Sequence, residues 1–355
     1  MKIKNSSLSC AGQYIFVGID VHLRSWCVTI IAGEMEHKTF TMSPETRNIV
    51  NYLRSHFPGG RYQAAYEAGF SGFGLQRELI KDGVDCIVVN AADVPQSDKE
   101  RRSKTDMVDS RRLAKGLMNR QMKSIYIPSS EEVEDRGLLR TRESFVRNQT
   151  RCKNRIKSML YYHGIKINAG GNWSENYIKQ IETIEGIGKS LKQSISVLVE
   201  ELRRTKGVIK ELDIQIKQLS QSQKYNARIN LLRTVPGVGL LTGMIILTEI
   251  IDINRFGRDD ELCSYAGLIP TEHSSGERIT KGSVTPRRNK ILRHILTESA
   301  WTAVRKDPAL MASYYKFTQQ GIQKNKAIVK IARKLLCRIA HVLRNNEPYS
   351  IAVVE

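Results

Sequence analysis

Long apolar runs are missing from this chain. No stretch of its 355 residues is apolar for long enough to cross a bilayer. The opening residues, MKIKNSSLSCAGQYIFVGID, lack the apolar core and small-residue cleavage site of a secretory signal. Paired cysteines are missing too. Cys10, Cys27, Cys86, Cys152, Cys263 and Cys337 are scattered, with no CxxC. They read as reduced thiols in a cytoplasmic protein, not as a zinc site or a disulfide framework. Acid is scarce: 36 Asp and Glu stand against 56 Lys and Arg, a formal charge of +20. Solubility needs far less, so the excess points to a polyanionic partner, nucleic acid ahead of a membrane surface. What is present suffices for folding. A hydrophobic content of 41% supports packed cores, and the length suits two or more domains.

The first third alternates short apolar runs with helical patterns. Tyr14–Asp20, Trp26–Ala32 and Glu36–Thr41 read as three strands, followed by a helix over Ser43–His56. Gln63–Ala68 reads as a fourth strand, Gly72–Lys81 as a helix, Asp85–Asn90 as a buried strand and Lys104–Leu117 as a helix. Meandering strands followed by such alternation predict a mixed-sheet α/β domain over residues 1–128.

Beyond Ser129 the strand signals fade, and the rest reads as all-α. Glu131–Tyr162 has a long polar helix pattern. Leu191, Ile195, Leu198, Leu202, Thr205, Ile209, Leu212, Ile216 and Leu219 then recur in steps of four and three. That heptad seam predicts a coiled coil within residues 129–228; the plainer alternative is an amphipathic helix packed on its own domain. Leu231–Ile250 reads as helix, Pro-Gly-x-Gly turn, helix, the form of a helix-hairpin-helix in a C-terminal helical domain over 229–355. TIEGIG at 183–188 echoes TVPGVG at 234–239, as a weak repeat or as two ordinary helix breaks. Glu277–Glu347 holds 16 Lys or Arg against 4 Asp or Glu, so much of the excess charge gathers there. The last helix, Asn325–Arg344, has an apolar stripe and a basic side that suits phosphate.

Against that basic background, Asp106 and Asp109 stand three residues apart on one helix. At that spacing like charges are neighbours and repel unless a cation lies between them. A solvated face, or Asp106 as a helix N-cap, is the plainer reading of the pair. Two more acids are placed to join them. Asp20 ends the first strand and Glu67 the fourth, and these strands can be adjacent in a mixed sheet. Four carboxylates from two strand ends and one helix face suit the two-metal pattern of phosphoryl transfer. Magnesium, held by few carboxylates plus phosphate oxygens, is the expected ion.

GIDVH, YEAG, KTDMVDSRRLA, the VPGVG turn and YAGLIPTEHSSGERITKGSVTPRRNKILRHILTESAW together resemble the DEDD transposases of the insertion-sequence one-hundred-ten family. The resemblance runs nearly the full length. It implies a ribonuclease-H-like catalytic domain of the Holliday-junction-resolvase kind, with Asp20, Glu67, Asp106 and Asp109 as its metal-binding tetrad. It implies two Mg2+ ions, with Mn2+ able to substitute. It implies donor and target double-stranded DNA as partners, and a structured noncoding bridge RNA as guide. The expected assembly is a homo-oligomer, dimer or tetramer, through the coiled coil, in a prokaryotic cytoplasm at the nucleoid.

From the residues alone, EHSSGER at 272–278 reads as a polar turn. The resemblance makes it the source of a nucleophilic serine, Ser275 before the Gly, with Ser274 as the fallback. Arg278, Lys281, Arg287, Arg288, Lys290 and Arg293 are the expected phosphate contacts. Where relatives read Thr-Lys-x-Gly-Asn, Thr285-Pro286-Arg287-Arg288-Asn289 stands here; Pro286 can open the following helix and the extra Arg keeps charge nearby. The expected function is therefore an RNA-guided transposase that cuts and rejoins DNA through a phosphoserine. Two rivals remain: a junction nuclease using metal-activated water, and a non-catalytic nucleic-acid-binding protein.

Overall fold

A computed structural model describes residues 10–95, 105–166, 172–275, 278–284 and 288–351, with the backbone alone at 271–275 and 278–284. The chain forms two compact units, Met1–Ile127 and Pro128–Glu355.

The first unit is built on a five-stranded mixed sheet. Its strands are β1 (Tyr14–Val21), β2 (Trp26–Ala32), β3 (Met35–Met42), β4 (Arg61–Glu67) and β5 (Asp85–Val89), in the order β3-β2-β1-β4-β5. The three meandering strands pair antiparallel, while β1–β4 and β4–β5 are parallel. Alternation along each strand sorts the side chains onto two faces. Ile15, Val17, Ile19, Val28, Ile30, Ala64, Tyr66, Cys86 and Val88 share one core with Ile49 and Leu53 of α1 (Thr46–His56) and Leu75 and Leu79 of α2 (Gly74–Lys81). The other face carries Ala65 and Val89, which pack with Leu113 of α3 (Asp106–Met118). Gly18 of β1 lies on this second face. A Cβ there would sit 1.9 Å from the Ser110 carbonyl oxygen and 2.5 Å from the Ala114 nitrogen, so α3 rests backbone to backbone on β1.

Among the described residues, the second unit is helical apart from one hairpin. Ser129 and Glu132 form a reciprocal cap for the long α4 (Ser130–Tyr162), each side chain accepting from the other's backbone N–H. α5 (Glu175–Glu182) and α6 (Lys189–Ser220) follow. The heptad residues close onto this unit itself. Ile195 and Leu202 pack with Cys152, Ile156 and Leu160 of α4 and Ile178 and Ile181 of α5, while Ile216 joins the C-terminal core.

Next come α7 (Asn226–Leu232), α8 (Leu240–Ile250) and α9 (Asp259–Ala266), then the antiparallel strands β6 (Pro270–Ser275) and β7 (Arg278–Val284). The chain continues through α10 (Lys290–Lys306), α11 (Pro308–Gln319) and α12 (Lys324–Asn345). The two Gly-rich echoes share a backbone form. Gly186 and Gly237 both have positive φ, +76° and +85°, and Gly188 and Gly239 are the N-caps of α6 and α8. The apolar stripe of α12 is fully used: Ile328, Ile331, Leu335, Ile339 and Val342 are all buried. Three of its arginines are already paired, Arg333 with Asp260, Arg338 with Asp307 and Arg344 with Asp259. No helix among the described residues is long and apolar enough to cross a membrane.

Candidate active site

Strand parity brings the first two acids together. β1 and β4 are in register at Gly18–Ala65 and Ile19–Tyr66. One residue further on each strand come Asp20 and Glu67, on the face that α3 covers. Thr105, not Asp106, caps α3: its side-chain oxygen accepts from the Val108 N–H at 3.3 Å. Asp106 and Asp109 therefore occupy the first helical turn, where a negative charge meets the positive end of the helix. Ser110 fixes the helix to the sheet. Its hydroxyl lies 2.9 Å from Thr29 Oγ1 and 3.4 Å from Cys27 Sγ, both on β2.

Two basic side chains join the acids in pairs. His22 Nε2 lies 3.2 Å from Asp20 Oδ2 and 3.4 Å from Asp106 Oδ1. Arg112 Nη2 lies 2.8 Å from Glu67 Oε1 and 3.2 Å from Asp109 Oδ1. The second Arg112 contact is an ion pair without hydrogen-bond alignment, so among the described residues the buried Asp109 Oδ1 accepts no hydrogen bond, and Arg112 Nε donates none. Burial raises the Asp20 carboxyl above its usual range. His22 opposes that shift, and the Asp106 and Asp109 charges add to it.

A divalent cation fits these residues. Ligand atoms of Asp20, His22 and Asp106 lie within 4.8 Å of one another, and Asp109 offers a buried oxygen still lacking a donor. Hard carboxylate oxygens suit Mg2+ or Mn2+, and an imidazole among them favours the softer ion. Neither His22 nor Arg112 was singled out from the sequence, although both stand inside the motifs that were. His22 is two residues past Asp20 in GIDVH, and Arg112 is three past Asp109 on the same helix.

The serine motif is a hairpin where a loop tip was expected. Ser275 is the last residue of β6 and pairs with Arg278; Ser274 pairs with Ile279, and Lys281 pairs with Glu272. Arg287 lies outside the described residues. Arg288 and Lys290 are exposed at the start of α10. Arg293, one turn on, is half-buried and donates to the Gly267 carbonyl at 3.2 Å. Burial and the neighbouring Arg288 charge lower its pKa.

Two family models match the chain. The one described as "Transposase IS116/IS110/IS902 family" covers residues 229–316, and a DEDD transposase model of the IS110 type covers residues 17–163. The transposase for insertion sequence element IS1533 of Leptospira borgpetersenii is 24% identical over 348 residues, 94% of this chain and 97% of its own length. The transposase for insertion sequence element IS1111A of Coxiella burnetii is 25% identical over 240 residues, 66% of this chain and 62% of its own. A pilin gene-inverting protein of Moraxella bovis is 33% identical over 175 residues, 47% of this chain and 54% of its own.

Proposed function

Because this chain belongs to the IS110 family of DEDD transposases, an enzyme family that acts on DNA, we propose that it is a bridge-RNA-guided recombinase that joins DNA strands through a phosphoserine. The observation that carries this reading is the gathering of Asp20, His22 and Asp106 at the end of β1, beside Glu67 and Asp109 held on Arg112. The sheet order supports assigning the first unit to the ribonuclease-H-like fold.

Divalent metal use goes with the DEDD family. Asp20, Glu67, Asp106 and Asp109 would hold Mg2+, or Mn2+ in its place, and the bound ions would supply Lewis acidity at the reacting phosphate. His22 bridges and orients Asp20 and Asp106. Arg112 keeps Glu67 and Asp109 from repelling each other before the cation arrives. Ser275 supplies the nucleophile: its Oγ–P bond forms as the P–O bond to the departing strand breaks, and the hydroxyl proton passes to the departing oxygen. The ester retains the phosphodiester energy, so a second strand can be joined with no external energy source. Arg278, Lys281, Arg287, Arg288 and Lys290 contact phosphates, with Arg293 aiding them from its half-buried place. The turn at 234–239 serves as a helix-hairpin-helix contact. Base pairing by the RNA reads sequence, so backbone and shape contacts suffice for the protein. Assembly is as a dimer or tetramer, and light scattering of the full chain measures it.

The deciding experiment traps the covalent species. Ser275→Ala should retain nucleic-acid binding and lose both recombination and any denaturation-resistant protein–DNA adduct. Peptide mapping of a wild-type adduct to Ser274 would move the assignment. Cleavage with no adduct would favour the junction-nuclease mechanism.

A further inference from the structure

A second cluster of charge lies in the helical unit, around Glu249 on α8. Its carboxylate is only 1% exposed. Arg140 of α4 grips it with two hydrogen bonds, Nε to Oε1 at 2.7 Å and Nη2 to Oε2 at 2.8 Å. Asn289 Nδ2 donates to Oε2 at 2.7 Å, and the Tyr265 hydroxyl donates to the Glu249 carbonyl at 3.0 Å. The Asn289 N–H in turn donates to the Tyr265 carbonyl at 3.0 Å. Tyr265 precedes β6 and Asn289 follows β7, so this network closes the foot of the serine hairpin. Arg255 lies over the Phe256 and Tyr265 rings, 4.6 and 4.7 Å from their centres.

Arg136 stands one helical turn before Arg140, on the same face of α4. It is half-buried, and among the described residues it donates no hydrogen bond and forms no ion pair. Glu249 is the acid that acts on it, yet Arg140 and Asn289 already occupy that carboxylate. Burial lowers the Arg136 pKa, with Arg140 repelling it further. A half-buried guanidinium with no acceptor among the described residues, whose nitrogens still reach solvent, is open to a phosphate oxygen pair, which matches its planar fork. We infer that Arg136 seats a backbone phosphodiester of the DNA strand at the foot of the β6–β7 hairpin, with the Glu249–Arg140–Asn289 network as the fixed wall of the seat. The location beside the reacting strand rests on the serine reading above; the binding itself does not.

Full-length Arg136→Gln tests this by titration of a labelled random-sequence duplex DNA across a salt series. The slope of log K against log salt should shrink by about 0.9, one phosphate's worth. Arg136→Lys should recover that slope, since it restores the charge. Thermal stability of Arg136→Gln should hold or rise, because the lost charge forms no ion pair among the described residues and is repelled by Arg140. An unchanged slope overturns the inference. So does a fall in Tm, which would make Arg136 a structural residue. A parallel series with an RNA hairpin distinguishes the polymer, and a slope change confined to RNA also overturns the assignment. An adduct mapping away from Ser275 would remove the proposed nucleophile and leave this measurement standing.

Discussion

The two units each set guanidinium groups against carboxylates, with opposite surplus. At the end of β1 four acids share one arginine and one histidine, and a buried Asp109 oxygen is left over. Around Glu249, among the described residues, one acid holds Arg140 and attracts Arg136, and a half-buried guanidinium is left over. The pairing chemistry is the same in both. The unmatched partner gives the sign of what must arrive: a cation in the first unit, an anion in the second. An ion pair at a functional site is thus best read by what it leaves unsatisfied.

The contrast is sharpest under substitution. Asp106→Asn should abolish recombination while leaving fold and nucleic-acid affinity nearly intact, because one ligand charge goes and volume hardly changes. Recombination at the wild-type rate would break the cation half of the comparison. Glu249→Ala should destabilise the helical unit by about 1–3 kcal/mol, since it removes the buried acceptor of Asn289 and of a half-exposed Arg140. Chemical denaturation measures this, and a loss under about 1 kcal/mol would show that the network is not fixed. Gly18→Ala should cost about 1–3 kcal/mol, the usual range for overpacking, because α3 must lift off β1. It should also weaken divalent-cation binding, read by the metal-induced rise in Tm. Arg111→Ala removes an outlying pair, Arg111 with Glu36 at 2.8 Å, both partners about one-third exposed. Its effect should stay below about 1 kcal/mol with recombination unchanged, separating pairs at the site from pairs beside it.

Much of the first unit was legible in the sequence. Apolar runs such as YIFVGID and WCVTIIA marked strands to within a residue or two, and Asp20 and Glu67 were placed at strand ends; that they share a face follows from the β1–β4 register. The partners were less visible. Nothing local in VH marks His22 as the bridge to Asp106, because that contact spans the sheet-to-helix fold. The β6–β7 hairpin was missed because TEHSSGERITKGSV has almost no apolar alternation to betray a strand. The heptad spacing of α6 predicted a coiled coil, but spacing does not say which helices fill the seam. Ile195 and Leu202 meet helices of their own unit. Arg136 had no sequence signal at all. It is one arginine among many until the carboxylate that acts on it is seen to be taken.

Gly18 carries a lesson for anyone scanning this protein by saturation mutagenesis. The position takes no part in chemistry, yet its nearest neighbours are backbone atoms that no rotamer change can move aside. In a survival screen it would score as intolerantly as Asp20, two residues away. A map of dead variants would merge the two into one hot spot and overstate the size of the reactive centre. Separating them needs a second readout, such as the amount of folded protein. Asp20 variants should remain abundant and silent, whereas Gly18 variants should be depleted before any DNA is touched.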